Sequence, residues 1–474
     1  MRPFEAYFSL RFLRQALGPT LAAAVLLLAA GCAHYDGKTD ALSPASVEAA
    51  LRAPALAQLI VAASQIEHPL LQPLVIDGRD GFTPDEVALM TVIISPRLRA
   101  LRDQRGVAQA QVVQAGLLPN PQLGYALDQL SGNNDPSLVN GGSLGLSWEV
   151  TSLLGYRDRM AAAKSAASAL DLDIAWQEWQ AAQATRLAAY RVISLETRLP
   201  LALDSEQVMS DALALVRRAQ ALGHRTTADL AAASEAWSAA QDARFAIEQE
   251  LTAQRLALNL ALNQPAEQLL KLKAGAIPPE LPAGAATAAA LLDGLEKRRL
   301  DLVALTLGYE SNEASLRAAV KAQFPKIGLN FARAHDTSNV KTHGYGVSVD
   351  LPLFDRNQGA IAAGKATRQQ LFDEYVARIA AARADVVQIL SNLTVARTQL
   401  RTLEAELPRL EQIATALDRE MQTRNADTQA WRDAHNTLLA RRAEHAKMRQ
   451  DVLELGVALE LATGRPLLVS PIPP

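Results

Sequence analysis

Cys32 is the one thiol among 474 residues, and it follows an apolar run directly, in LLLAAGCAH (26–34). A lone cysteine closes no disulfide within its chain and builds no cysteine-based metal site. The seven histidines, at 34, 68, 224, 335, 343, 435 and 445, are scattered. His335 and His343 bracket one turn-rich segment, and the plainer reading there is no metal. HExxH, a phosphate-binding Walker loop, GxGxxG and GxSxG are all missing, so the sequence predicts neither an enzyme nor a cofactor or metal. Three carboxylates, Glu420, Asp427 and Asp433, gather around one candidate helix turn. In a symmetric assembly they would form a charged ring that selects cations or holds a passage shut; equally, they are the solvated end of a helix. The net charge of −3 offers nothing to a nucleic acid.

The residues before Cys32 bear on its role, as a processed signal or as an uncleaved membrane anchor. Arg2, Arg11 and Arg14 precede an apolar stretch, Leu21 to Ala30, that ends in small residues. That is the layout of a secretory signal peptide, and it is shorter than the ~20 residues a membrane span needs. Leu28-Ala29-Ala30-Gly31-Cys32 resembles a bacterial lipobox, with Ala29 where leucine is usual. The resemblance implies a signal peptide at 1–31, cleavage before Cys32 and a lipid on its thiol. Ala33, not aspartate, follows the cysteine, which implies export to the outer membrane. Residues 32–82 then read as a lipidated tether, since they have no counterpart later in the chain.

The remainder is written twice. SWEVTSLLGYRDRMAAAKSA (147–166) matches SVDLPLFDRNQGAIAAGKAT (348–367), with Glu149 on Asp350 and Lys164 on Lys365, an offset of 201. Pro265 falls on Pro466 at the same offset, whereas PQLGYAL (121–127) falls on PKIGLNF (325–331) at an offset of 204. One three-residue indel inside 128–143 reconciles the two. The expected division is therefore a first repeat at 83–265, a linker at 266–290, a second repeat at 291–466 and a tail at 467–474. Pro278, Pro279 and Pro282 argue against a regular helix in the linker.

Each repeat has the same internal order. Thr83-Pro84-Asp85-Glu86 opens a helix with a cap, a first-turn proline and a capping-box glutamate, and a second helix runs from Pro96 to about Gly116. The period then changes to two. Leu123, Tyr125 and Leu127 oppose Gln122, Gly124 and Ala126; Leu144, Leu146, Trp148 and Val150 oppose Gly145, Ser147 and Glu149. In the second repeat Ile327, Leu329 and Phe331 oppose Lys326, Gly328 and Asn330, and Tyr345, Val347, Val349 and Leu351 oppose Gly346, Ser348 and Asp350. Such alternation usually marks a soluble sheet with one face on a core. The charged residues on the small face suit a wet lumen instead, and two hairpins leave edges that a monomer would have to cover. A membrane barrel points the apolar face at lipid; four strands are too few to close a pore, so several chains would share one barrel.

Long helices flank the hairpins. From Arg157 to Leu222 the only proline is Pro200, and as a helix this stretch would rise about 100 Å. Leu230, Ala233, Trp237, Ala240, Ala243, Ile247 and Leu251 are spaced by three and four, the seam of a bundle or coiled coil. Gly223 suits the left-handed end of one helix. Thr226 or Thr227 suits the cap of the next, with Asp229 in its first turn, where the helix dipole favours it.

With duplication, hairpins and helices together, the chain is similar to the TolC-like outer-membrane efflux channel family, in the lipoprotein-type branch serving resistance-nodulation-division pumps. The motif that carries the likeness is a helix–turn–helix: Leu222-Gly223, Asp229-Leu230 and Ala233 fit the family's spacing. Asp433-Ala434 keep its end in the second repeat, but Arg424 and Ala430 replace the glycine and the aspartate. The resemblance implies a mainly α protein with four β-strands per chain. It implies a homotrimer that shares a 12-stranded barrel in outer-membrane lipid above a helical tunnel. It further implies a passive exit duct, docked through its tips to a periplasmic adaptor and an inner-membrane pump, with the alternating apolar strand positions facing lipid. Segment 95–123 looks like channels of heavy-metal efflux systems, yet the cargo, metal or drug, stays open. The rival reading is a periplasmic lipoprotein scaffold or adaptor with coiled-coil helices, which has no need of alternation in all four strands.

Overall fold

The computed structural model of the chain describes residues 42–52, 56–131, 137–265, 268–274, 287–423 and 428–468. Cys32, Asp427 and most of the linker lie outside them. The chain divides into two units, Met1–Arg52 and Ala53–Pro474. The described part of the first is one helix, α1 (Pro44–Leu51), capped by Ser43. Everything below concerns the second unit.

Its elements are α2 (Leu56–Ser64), α3 (Pro84–Ile94), α4 (Pro96–Ala115), β1 (Gln122–Asp128), β2 (Gly141–Glu149), α5 (Ser152–Ala221) and α6 (Thr227–Ala261). Then follow α7 (Ala288–Leu292), α8 (Leu295–Arg298), α9 (Leu300–Lys321), β3 (Lys326–His335), β4 (Lys341–Asp350), α10 (Gln358–Gln422) and α11 (Thr428–Thr463). Thr83 caps α3 through the expected box, with its own N–H donated to Glu86 Oε2 at 2.6 Å. The two offsets reappear as structure. Pro96 and Leu300 begin equivalent helices 204 residues apart, and Thr227 and Thr428 begin equivalent helices 201 apart. Thr287 caps α7 as Thr83 caps α3, but the second copy of that helix is broken into α7 and α8 by Gly294 at φ 62°.

α5 runs for 70 residues and α10 for 65, each about 100 Å long. The first helix starts at Ser152, earlier than Arg157, because Glu149 Oε1 accepts the N–H of Ser152 at 2.9 Å and fastens its first turn to the strand. Along the α6 seam Ala233 and Leu251 are buried and Leu230, Trp237, Ala240 and Ile247 half-buried. Ala243 is a correction: it is exposed, and Arg244 takes the inward place. Four residues from Ala240 continue the helical stripe better than three, and Arg244 is held there by Glu206 at 2.5 Å and Glu248 at 2.6 Å.

The apolar cores gather near the middle of the long helices. One joins Leu59, Val87 and Ile94 to Ala189, Val192 and Leu195 of α5, to Leu258 of α6 and to Leu262 just after it. Another joins Tyr190 to Leu291, Val386, Leu393, Leu459 and Leu468. The described part of the linker belongs here: Phe82 and Leu272 form a parallel bridge. Beyond the helices lies one antiparallel sheet in the order β1-β2-β3-β4. The duplicated hairpins pair through β2 and β3, leaving β1 and β4 as its edges.

Candidate channel wall and docking tips

In the sheet, register decides which side chains share a face. Leu123 pairs with Leu146, Leu146 with Phe331, and Phe331 with Tyr345. One apolar row therefore crosses all four strands, and a second runs Trp148, Leu329, Val347. Leu127, Leu144, Ile327 and Val349 complete the face, with Tyr125 opposite Leu144. These side chains are uncovered: Leu146 is 45% exposed, Leu329 48% and Tyr345 84%. Trp148 is half-buried, its indole N–H donated to the carbonyl of Pro119 at 2.8 Å. On the other face stand Gly145, Ser147, Glu149, Gly328, Asn330, Gly346 and Ser348. A soluble sheet would have its apolar face on a core; here it is the open one.

The first tip is closed by backbone geometry. α5 ends at Leu222, Gly223 takes φ +76°, and the N–H groups of Gly223 and His224 return to Gln220 O and Ala219 O at 2.9 and 2.8 Å. This is a Schellman closure, and a side chain at Gly223 would meet open space. Thr226 then caps α6: its Oγ1 accepts from Asp229 N at 3.1 Å, and Asp229 Oδ2 accepts the Thr226 N–H at 2.9 Å. Donation from the Thr226 backbone, then from its hydroxyl, with Arg225 and Arg432 nearby, holds the Asp229 carboxyl below the usual carboxylate range. Leu222 is exposed and Leu230 half-buried, whereas Ala233 is buried and closes the turn from within.

The second tip is fastened by side chains. Asp418 Oδ1 accepts the Trp431 indole N–H at 2.8 Å and lies 2.9 Å from His435 Nε2. The two rings meet at 4.8 Å. Asp433 pairs with its neighbour Arg432 at 2.8 Å, Ala434 is half-buried and Glu420 is exposed. Glu420 and Asp433 share no ion-pair partner among the described residues, and Asp427 lies outside them. Sequence reasoning missed Asp418, Trp431 and His435; the one available signal was that Trp431 and His435 are four apart and share a helix face. Among the described residues no group of three or more His, Cys, Asp or Glu side chains is placed to hold a metal.

This arrangement is the fold of outer-membrane channels. It matches CusC, solved in work on transmembrane channel formation, with a TM-score of 0.65 and 17% identity over 85% of this chain and 98% of that one. It also matches the open outer-membrane channel MtrE of Neisseria gonorrhoeae, with a TM-score of 0.63 and 16% identity over 85% and 97%. Residues 291–465 match the model of the outer membrane efflux protein family. Among curated proteins, the cobalt-zinc-cadmium resistance protein CzcC of Cupriavidus metallidurans is 25% identical over 145 residues, which are 30% of this chain. The matched region spans about a third of that relative (35%).

Proposed function

We propose that this chain is one protomer of a homotrimeric outer-membrane exit duct, passively conducting cargo that an inner-membrane pump and a periplasmic adaptor deliver. One observation carries the reading: a four-stranded sheet with an uncovered apolar face and two open edges, joined to helices about 100 Å long. Open edges seek strands, and three copies joined edge to edge give a closed barrel with the small polar face inward. The exposed Phe372, Val376, Val387 and Val395 of α10 are further surface for a second copy to cover. The two tips, at the far end of the helices from the sheet, are where an adaptor docks. Cys32 carries the lipid. Of the three candidate gate carboxylates, Glu420 makes no ion pair among the described residues, while Asp433 is engaged by Arg432. The name of the Cupriavidus relative makes heavy-metal cations the first cargo to test.

The deciding experiment is single-channel conductance of the purified full-length protein in planar bilayers. Discrete conducting steps are expected; a protein that never conducts, under conditions that open related channels, is a periplasmic scaffold instead.

A further inference from the structure

The last two outward rungs of the second hairpin are basic. Arg333 pairs with His343 and His335 with Lys341 across β3 and β4. They continue the face of Phe331 and Tyr345, whose rings meet at 5.3 Å, because alternate residues of a strand share one side. All four are exposed, and among the described residues none forms an ion pair. Asp336, the carboxylate of the adjoining turn, is already engaged: its Oδ1 accepts the N–H groups of Ser338 and Val340, each at 2.9 Å. On the neighbouring strand, Gly142 stands opposite His335, and a Cβ there would come within 3.0 Å of the imidazole. The glycine thus leaves the ring its place on the outward face.

Along β4 the outward positions read Leu351, Val349, Val347, Tyr345, His343, Lys341: aliphatic, then aromatic, then an imidazole and a lysine. Aromatic residues settle at a membrane interface, and long cationic side chains reach past it to the headgroups. A cation-rich end on a lipid-facing surface, with no carboxylate paired to it among the described residues, has charge complementarity with phosphate. Charge-assisted bonds from Arg and Lys to phosphate oxygens are the strong kind. We propose that Arg333 and Lys341, flanked by His335 and His343, bind the phosphate groups of anionic lipid in the leaflet farthest from the helices. The proposal rests on the duct reading, which sets the sheet in a membrane.

The test uses the full-length protein in detergent and a fluorescent lipid A carrying both phosphates. R333S/K341S is expected to bind about tenfold or more weakly than wild type, the equivalent of one lost charge-assisted contact. Dephosphorylated lipid A should bind wild type as weakly as phosphorylated lipid A binds the variant. R333K/K341R, which keeps both charges, should restore affinity and so separates charge from folding. Equal affinities of wild type and R333S/K341S overturn the proposal. Displacement of the lipid by inorganic phosphate at matched concentration overturns it too, by making the site one for a soluble anion. Conductance of the same preparations separates the two readings. Channels that conduct but ignore lipid phosphorylation remove this proposal alone, whereas preparations that never conduct remove the duct.

Discussion

Asn259 and Glu460 stand 201 residues apart, at equivalent places in the last turn of α6 and α11, and each ties down the chain that follows. Asn259 is neutral and gives its amide to the carbonyls of Pro265 and Gln268 at 3.3 and 2.8 Å. Glu460 is wholly buried; it accepts the N–H groups of Leu467 and Leu468 at 2.6 and 2.5 Å and meets Arg186 of α5 at 2.5 Å. Just beyond, Asn263 and Gly464 again correspond, with φ 50° and 65°. The tips repeat the contrast: glycine and a capping box in the first half, a Trp–Asp–His cluster in the second. At these two places the duplicated halves keep the same backbone course, while the first is fastened by local hydrogen bonds and the second by side chains that reach another helix.

Glu460→Ala is therefore expected to have the largest effect, about 3–5 kcal/mol of stability, because it leaves the buried Arg186 guanidinium with the half-exposed Asp85 as its remaining carboxylate. Asn259→Ala should cost about 1–3 kcal/mol, the loss of neutral bonds to two carbonyls. Denaturant unfolding of both variants in detergent checks this, and equal losses would break the contrast between halves.

The sheet is where the halves should behave alike. Leu146 and Phe331 come from different repeats but pair directly in one row. Arginine at either site, placed at the bilayer midplane, is expected to cost about 2–4 kcal/mol and to deplete assembled protein in membrane extracts. Ser147→Arg, on the opposite face, should assemble. A Phe331→Arg variant that assembles as well as wild type would mean the two hairpins do not form one lipid-facing surface.

How much was legible in the sequence follows the same division. Periodicity fixed the strands to within a few residues, because the alternation of Leu144, Leu146 and Trp148 with small residues has the period of a strand and not of a helix. Gly223 and the Thr226–Asp229 box were legible because each acts over four residues or fewer. Illegible were contacts that span helices: Arg186 with Glu460 is 274 residues apart, and Asp418 with Trp431 and His435 crosses a turn. No period marks such pairs. Arg244 was missed for another reason, since a cation on an apolar stripe is legible only once Glu206 is known to meet it.

The tips should differ in kind when perturbed. Asp418→Ala removes the acceptor shared by Trp431 and His435 and is expected to cost about 1–2 kcal/mol. Gly223→Ala meets no neighbour, so its cost is the left-handed strain of an L-residue alone, about 1–2 kcal/mol. Only the second should respond to backbone chemistry: D-alanine at position 223, introduced by semisynthesis, should recover the loss. A D-alanine variant as unstable as Gly223→Ala would show that the first tip, too, depends on side-chain packing.

The smallest effect is a pH dependence confined to the first tip. The folded Asp229 carboxyl is depressed by the Thr226 backbone N–H and hydroxyl, so ionised Asp229 favours the folded turn. The sign follows: this contribution is complete above the unfolded aspartate value of about 3.9 and is lost as pH falls through the lower folded value. Amide protection factors at Thr226 and Asp229 should therefore be flat from neutral pH down to about 4 and decline only below it. Asp229→Asn, which cannot ionise but keeps an oxygen for the Thr226 N–H, should give lower protection and no acid step. An unchanged step in D229N would transfer the pH response to another group and leave the capping box as helix punctuation, independent of charge.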